Sequence, residues 1–193
     1  VKIGMLYSAE LIETVAQVLK KYKIDKIVLD PVMVAQSGDK LLKDNAIEAI
    51  KIHLMPLSTV VTPNLPEASV LLNRKLHGFE DIKKGAKDLS GYGSRSVLIK
   101  GGHLEDNGSN DFLYLAKEDR LATLEGKRIN TINNHGTGCT LSSAIASCMA
   151  KGCGIEEAVR KAKTYINEAI RAGSKYKIGH GHGPVHHFHK FWK

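Results

Sequence analysis

Aromatic residues are scarce in this chain: one Trp, six Tyr and four Phe make up 6% of 193 residues. Nucleic-acid binding by stacking needs aromatics interleaved with basic residues, and no such platform is visible. Acidic residues are in deficit as well, 20 against 28 Lys and Arg, for a formal net charge of +8. The basic residues are scattered over helix faces, so the excess fits steering of phosphorylated ligands better than a nucleic-acid groove. No apolar run is long enough to span a bilayer. Three cysteines, Cys139, Cys148 and Cys153, form an odd set with no disulfide framework, which points to a cytoplasmic protein. There is no G-x-x-x-x-G-K-[ST], so this is not a P-loop protein, and no G-x-G-x-x-G follows a strand. The chain opens Val1-Lys2-Ile3-Gly4-Met5, which reads as a strand and not a signal peptide. Its lack of an initiator Met implies a natural start further upstream.

What is present is alternation. Ile27-Val28-Leu29, Thr59-Val60-Val61 and Val97-Leu98-Ile99 are short β-branched runs, each reading as a buried parallel strand. Amphipathic helices lie between them. One carries Leu11, Val15, Val18, Leu19 and Tyr22 after a Ser8 cap; a second carries Ile47, Ile50 and Leu54 after Asp44. A third carries Ile82, Ala86 and Leu89 and ends at Gly91. The longest runs from Ile155 through Ala158, Val159, Ala162, Tyr165, Ile166, Ala169 and Ile170 to Gly173. Phe112–Leu115 and Arg120–Leu124 read as a hairpin at one sheet edge. The pattern predicts one α/β domain over residues 1–193, a layered and mostly parallel sheet.

Polar residues gather just after the buried runs, where open parallel sheets bind ligands. Asp30 follows the first, Thr62-Pro63-Asn64-Leu65-Pro66-Glu67 the second, and Lys100-Gly101-Gly102-His103 the third. Each alone reads as a cap, a turn or a solvated residue; together they supply carboxylates and a cation. The fourth piece is His135-Gly136-Thr137-Gly138-Cys139-Thr140-Leu141-Ser142, glycines leading into a helix. A helix start offers unpaired N–H groups and a positive dipole end, and glycine lets an anion approach the backbone. Cys139 falls in the first turn, where a thiolate is favoured. It would join the other three if Arg128-Ile129-Asn130-Thr131 is a strand of the sheet. Mg²⁺ held by carboxylates, a cation on phosphate and backbone donors are the groups phosphoryl transfer needs. A second reading is a thiol hydrolase pairing Cys139 with His135 or His103. The Gly- and His-rich tail, residues 180–189, reads either as a metal site or as a surface tail packing Phe188 and Trp192.

Taken together, Lys2-Ile3-Gly4-Met5-Leu6, Asp30-Pro31-Val32-Met33-Val34, Ser37-Gly38-Asp39, Thr62–Ala68, Lys100–His103 and His135–Ser142 closely resemble the hydroxymethylpyrimidine/phosphomethylpyrimidine kinases of thiamine biosynthesis. The tail Gly183-Pro184-Val185-His186-His187-Phe188 resembles the end of that family, and Cys in Gly-Thr-Gly-Cys is its specific mark. The resemblance implies a ribokinase-like three-layer αβα fold that phosphorylates a hydroxymethylpyrimidine and then its monophosphate, with ATP and Mg²⁺. It implies Cys139 as base or proton relay, and Gly136, Thr137, Gly138 and the Cys139 N–H as the anion hole. It further implies Asp30 and Glu67 at Mg²⁺, Lys100 on the nucleotide phosphates, and Met5 and Val32 against the pyrimidine. A homodimer is common in the family; a membrane or nucleic-acid partner is not implied. Members begin with an additional strand and glycine-rich segment that has no counterpart here, so the N-terminal part of the sheet is expected to be absent, leaving an exposed edge or apolar patch. Gln36 stands where many members have Lys. The alternatives are a pyridoxal kinase of the same superfamily and an inactive domain of a thiamine-pathway fusion.

Overall fold

The computed structural model describes residues 1–33, 41–101 and 109–192. Val34, Gln36, Ser37, Gly38, Asp39, Gly102 and His103 lie outside them. In chain order the elements are β1 (Lys2–Ile3), α1 (Ala9–Lys21), β2 (Val28–Leu29), α2 (Asp44–Ala49), β3 (Val60–Val61), α3 (Leu65–Leu72), α4 (Gly78–Ser90) and β4 (Ser96–Ile99). The hairpin β5 (Asp111–Leu115) and β6 (Arg120–Leu124) follows, then α5 (Thr137–Ala150) and α6 (Ile155–Gly173).

Among the described residues the strands form one sheet of six, with spatial order equal to chain order. β1 to β4 are parallel, and β5 and β6 run antiparallel at the far edge. Successive side chains point to opposite faces, so every strand feeds two cores. Leu29, Val61, Val97, Ile99, Phe112 and Tyr114 face α1 to α4. Val28, Val60, Leu98, Leu113 and Leu124 face α5 and α6. Both faces are covered by helices, and this is why the parallel strands carry no polar alternation. The αβα layering and the edge hairpin are as the sequence predicts.

Several local expectations need correction. Residues 128–131 form no strand; the chain runs irregularly from β6 to α5. The buried face of α1 is Ile12, Ala16 and Leu19, whereas Leu11, Val18 and Tyr22 are exposed. The stripe chosen from the sequence lies about one residue off, because both edges of this helix are apolar. Ser8 does cap it, accepting the Leu11 N–H. Past α2 the helix widens into a π turn (Ile50–Leu54) and tightens into a 3₁₀ turn (Met55–Leu57). Gly91 ends α4 with helical backbone, φ −58°. In the tail, Phe188 and Trp192 stack on each other at 5.1 Å but remain exposed; the buried anchor is Val185.

Candidate active site

The parallel strands β2, β3 and β4 end at one level, and each hands over a polar side chain there. Asp30, directly after β2, is 1% exposed. Its Oδ1 accepts from Lys100 Nζ at 2.9 Å and from the Thr62 hydroxyl at 3.1 Å. Its Oδ2 accepts from Ser142 Oγ at 3.3 Å, with Lys2 Nζ 4.0 Å away. A bridge between Asn64 and Lys100 extends the β3–β4 pairing past the strand ends, with the Lys100 N–H on the Pro63 carbonyl. This extension aims Lys100 at the rim, where its Nζ is also 3.8 Å from Glu67 Oε2.

Glu67 is set by a reciprocal cap. Asn64 Oδ1 accepts the Glu67 N–H, and Glu67 Oε2 accepts the Asn64 N–H, each at 2.7 Å. Burial pushes the Glu67 carboxyl above its ordinary pKa; Lys100 and the Asn64 amide pull it back, and Asp30 adds to the rise. Burial works against the Lys100 ammonium, but Asp30 and Glu67 outweigh it and hold its pKa above the usual lysine value. Lys100 is therefore a fixed cation between two carboxylates.

α5 closes the cluster. Gly136 precedes it with φ +81°, a conformation that favours glycine. The first amide to bond back into the helix is that of Thr140, on the Gly136 carbonyl. Thr137 Oγ1 donates to the Asn134 carbonyl at 2.7 Å. A Cβ on Gly138 would stand 3.3 Å from Lys100 Nζ and 3.9 Å from Asp30 Oδ2. The bare glycine leaves that space beside a cation and a helix N-terminus, which suits a phosphate. Cys139 is exposed and shares with Gly136, Thr140 and His187 a cavity of about 660 Å³ between α5 and α6.

The structure thus brings Asp30, Glu67, Lys100 and Gly138 together, with Gly136, Thr137 and Cys139 in the same turn. α5 joins them although residues 128–131 are not in the sheet; its own buried Ser142 makes the link to Asp30. Met5 is 48% exposed and Val32 partly buried; no hydrogen bond or ion pair of their side chains links them to the cluster among the described residues. No hydrogen bond joins His135 to Cys139 among the described residues, and His103 lies outside them. Sequence reasoning missed Thr62, Ser142 and Lys2 as partners of Asp30. It also missed the buried ion pair between Lys163 Nζ and Asp111 Oδ2 at 2.6 Å. Asp111 Oδ1 accepts the Gly101 N–H, so the pair braces the turn beside Lys100. The available signal was a lysine on the apolar stripe of α6.

Two carboxylates, one of them saturated by Lys100, Thr62 and Ser142, do not make a direct metal cage. No group of three or more His, Cys, Asp or Glu positioned for a metal occurs among the described residues. The pair does fit Mg²⁺, which keeps its waters and binds through one or two carboxylates and substrate phosphates. No helix among the described residues is long and apolar enough to cross a membrane.

Comparison with known proteins converges on one group. The profile of the phosphomethylpyrimidine kinase family matches residues 1–186. The hydroxymethylpyrimidine/phosphomethylpyrimidine kinase of Rhizobium meliloti (strain 1021) is 46% identical over 194 aligned positions, covering 100% of this chain and 72% of that protein. Among solved structures, the ADP complex of Bacillus subtilis pyridoxal kinase aligns with TM-score 0.89 at 34% identity, over 98% of this chain and 70% of that one. Phosphomethylpyrimidine kinase from Clostridium difficile 630 aligns with TM-score 0.76 at 40% identity, over 88% and 68%.

Proposed function

Because the chain belongs to the phosphomethylpyrimidine kinase family, we propose that it moves the γ-phosphoryl group of ATP to the hydroxymethyl oxygen of 4-amino-5-hydroxymethyl-2-methylpyrimidine, and then to the resulting monophosphate, in thiamine biosynthesis in the cytoplasm. The observation that carries this reading is Lys100, a partly buried cation braced by Asp30 and Glu67 and facing the space above Gly138. In this reading Lys100 pairs with the nucleotide phosphates. The backbone of Gly136, Thr137, Gly138 and Cys139 holds the negative charge that builds on the transferred group. Cys139 takes the hydroxymethyl proton as the new P–O bond forms and the bond to ADP breaks. Asp30 and Glu67 would hold Mg²⁺, which would supply neutralisation of phosphate charge. Met5 and Val32 lie against the pyrimidine.

An ADP-release assay with the pyrimidine, its monophosphate and pyridoxal tests this. ADP formation with the first two supports the proposal. A second reading, pyridoxal kinase, is favoured by the TM-score of 0.89 to the Bacillus subtilis enzyme, and turnover of pyridoxal alone would establish it instead. Binding of Mg·ATP with no ADP release from any alcohol would point to an inactive domain.

A further inference from the structure

The segment leading into the anion loop has an unusual support. Residues 128–134 enter no strand, yet they set where α5 begins. The junction with α5, at His135, is held by the C-terminal tail. The His135 N–H donates to the Gly183 carbonyl at 3.0 Å, and His135 forms a parallel bridge with Pro184. Val185, 3% exposed, seats the tail in the core beneath α5 and α6. The His186 N–H donates to the Ala169 carbonyl of α6 at 3.0 Å. Tyr165 on α6 donates its hydroxyl to the His187 carbonyl at 2.9 Å. The His187 ring then reaches α5, with Nε2 3.0 Å from Thr140 Oγ1. On the inner side, buried Asn133 donates to the Gly173 and Tyr176 carbonyls at 2.7 and 2.6 Å. Gly183 packs so closely on Asn133 that a Cβ there would overlap its amide.

We infer that residues 183–187 are a strap that fixes the phosphate-binding turn from outside, with His187 and Gly183 as positioning residues. Thr140 is the contact point: its N–H closes the first turn on Gly136, and its hydroxyl meets His187. The amides of Gly138 and Cys139 lie between these two ties. The sheet does not hold this entry, so the strap does. The histidine thereby acts through Thr140 on the anion hole without touching the reacting groups. This rests on the proposed kinase reading only for its kinetic consequence.

The test compares the chain with its His187→Ala, His187→Gln and Gly183→Ala variants by hydrogen exchange and by ADP release. Losing one hydrogen bond is about a five- to tenfold effect. His187→Ala is expected to speed exchange of the hydrogen-bonded Thr137 and Thr140 amides, within 137–140, by about that factor, with β4 unchanged. The kcat is expected to fall about as much with the pyrimidine KM held within about twofold, since charge is stabilised mainly in the transition state. His187→Gln, which can still meet the Thr140 hydroxyl, restores both. Gly183→Ala speeds exchange across 133–140. Unchanged exchange at 137–140 in His187→Ala overturns the strap, as does a failure of Gln to restore what Ala loses. Exchange needs no turnover, so an altered turn in a chain that releases no ADP leaves the strap standing and rejects the kinase reading.

Discussion

Lys100 neutralises a carboxylate that water scarcely reaches. Its partner Asp30 is 1% exposed, and the next cation, Lys2, is 4.0 Å away. Removing one member of a buried pair costs about 3–5 kcal/mol, because the other charge remains. Lys100→Met is therefore expected to lower unfolding free energy by about that much in urea titration. Adding Asp30→Asn is expected to return most of it, while activity stays lost. Glu67 gives a pH signature. Its pKa is raised chiefly by burial, so the folded chain holds this proton more tightly than the unfolded chain. Its stabilising contribution is full at acid pH and declines as pH rises from the ordinary carboxylate pKa through the raised one. Glu67→Gln, which stays neutral, is expected to gain melting temperature relative to the parent at pH 8 compared with pH 5. A difference independent of pH would contradict the assignment. Cys139 is exposed, so Cys139→Ser should change stability by no more than about 0.5 kcal/mol. As the proposed base, Cys139 should contribute roughly 10²–10⁴-fold, and turnover should fall within that range. Gly138→Val places carbon where the phosphate is proposed to sit, and its turnover should fall at least as far.

Among the elements, α3 and α5 do different work with similar means. α3 starts on a reciprocal Asn64–Glu67 cap. α5 starts on Gly136 in left-handed backbone with no side-chain cap; its Thr137 N–H goes to the Asn134 carbonyl, which leaves the amides of Gly138 and Cys139 for a ligand. The turn beside Lys100 depends on the hairpin. Asp111 holds the Gly101 amide with one oxygen and Lys163 with the other, at 3.0 and 2.6 Å. Lys163 also donates to the Ser109 carbonyl at 2.6 Å, tying α6 to the start of β5. Lys163→Met fits the apolar stripe of α6 but leaves Asp111 unpaired. It is expected to cost about 3–5 kcal/mol in unfolding and to weaken nucleotide binding, measured by calorimetry.

At the scale of the molecule, one sheet divides two cores, and the site lies where the parallel strands end. β1 is the outer strand on its side, with Val1, Met5 and Tyr7 exposed nearby. Much of this was legible in advance. Short buried runs, helical stripes and hairpin residues determined the alternation of strand and helix and the mostly parallel sheet, since strands buried on both faces have a composition that few other elements share; the αβα layering was implied by the family resemblance. The glycines at 136 and 138 and the polar residues after each strand determined which chemistry was available. Tertiary structure alone decided three things. It chose Ile12, Ala16 and Leu19 over the neighbouring stripe of α1, because only packing separates two apolar faces. It placed α5 at the rim without a strand before it, through Ser142 and Asp30, residues 112 positions apart. It also paired Lys163 with Asp111 and the tail with the glycine turn that opens α5. Sequence fixes local preference within a few residues, but a buried charge or a distant carbonyl finds its partner only when the whole chain has closed around it.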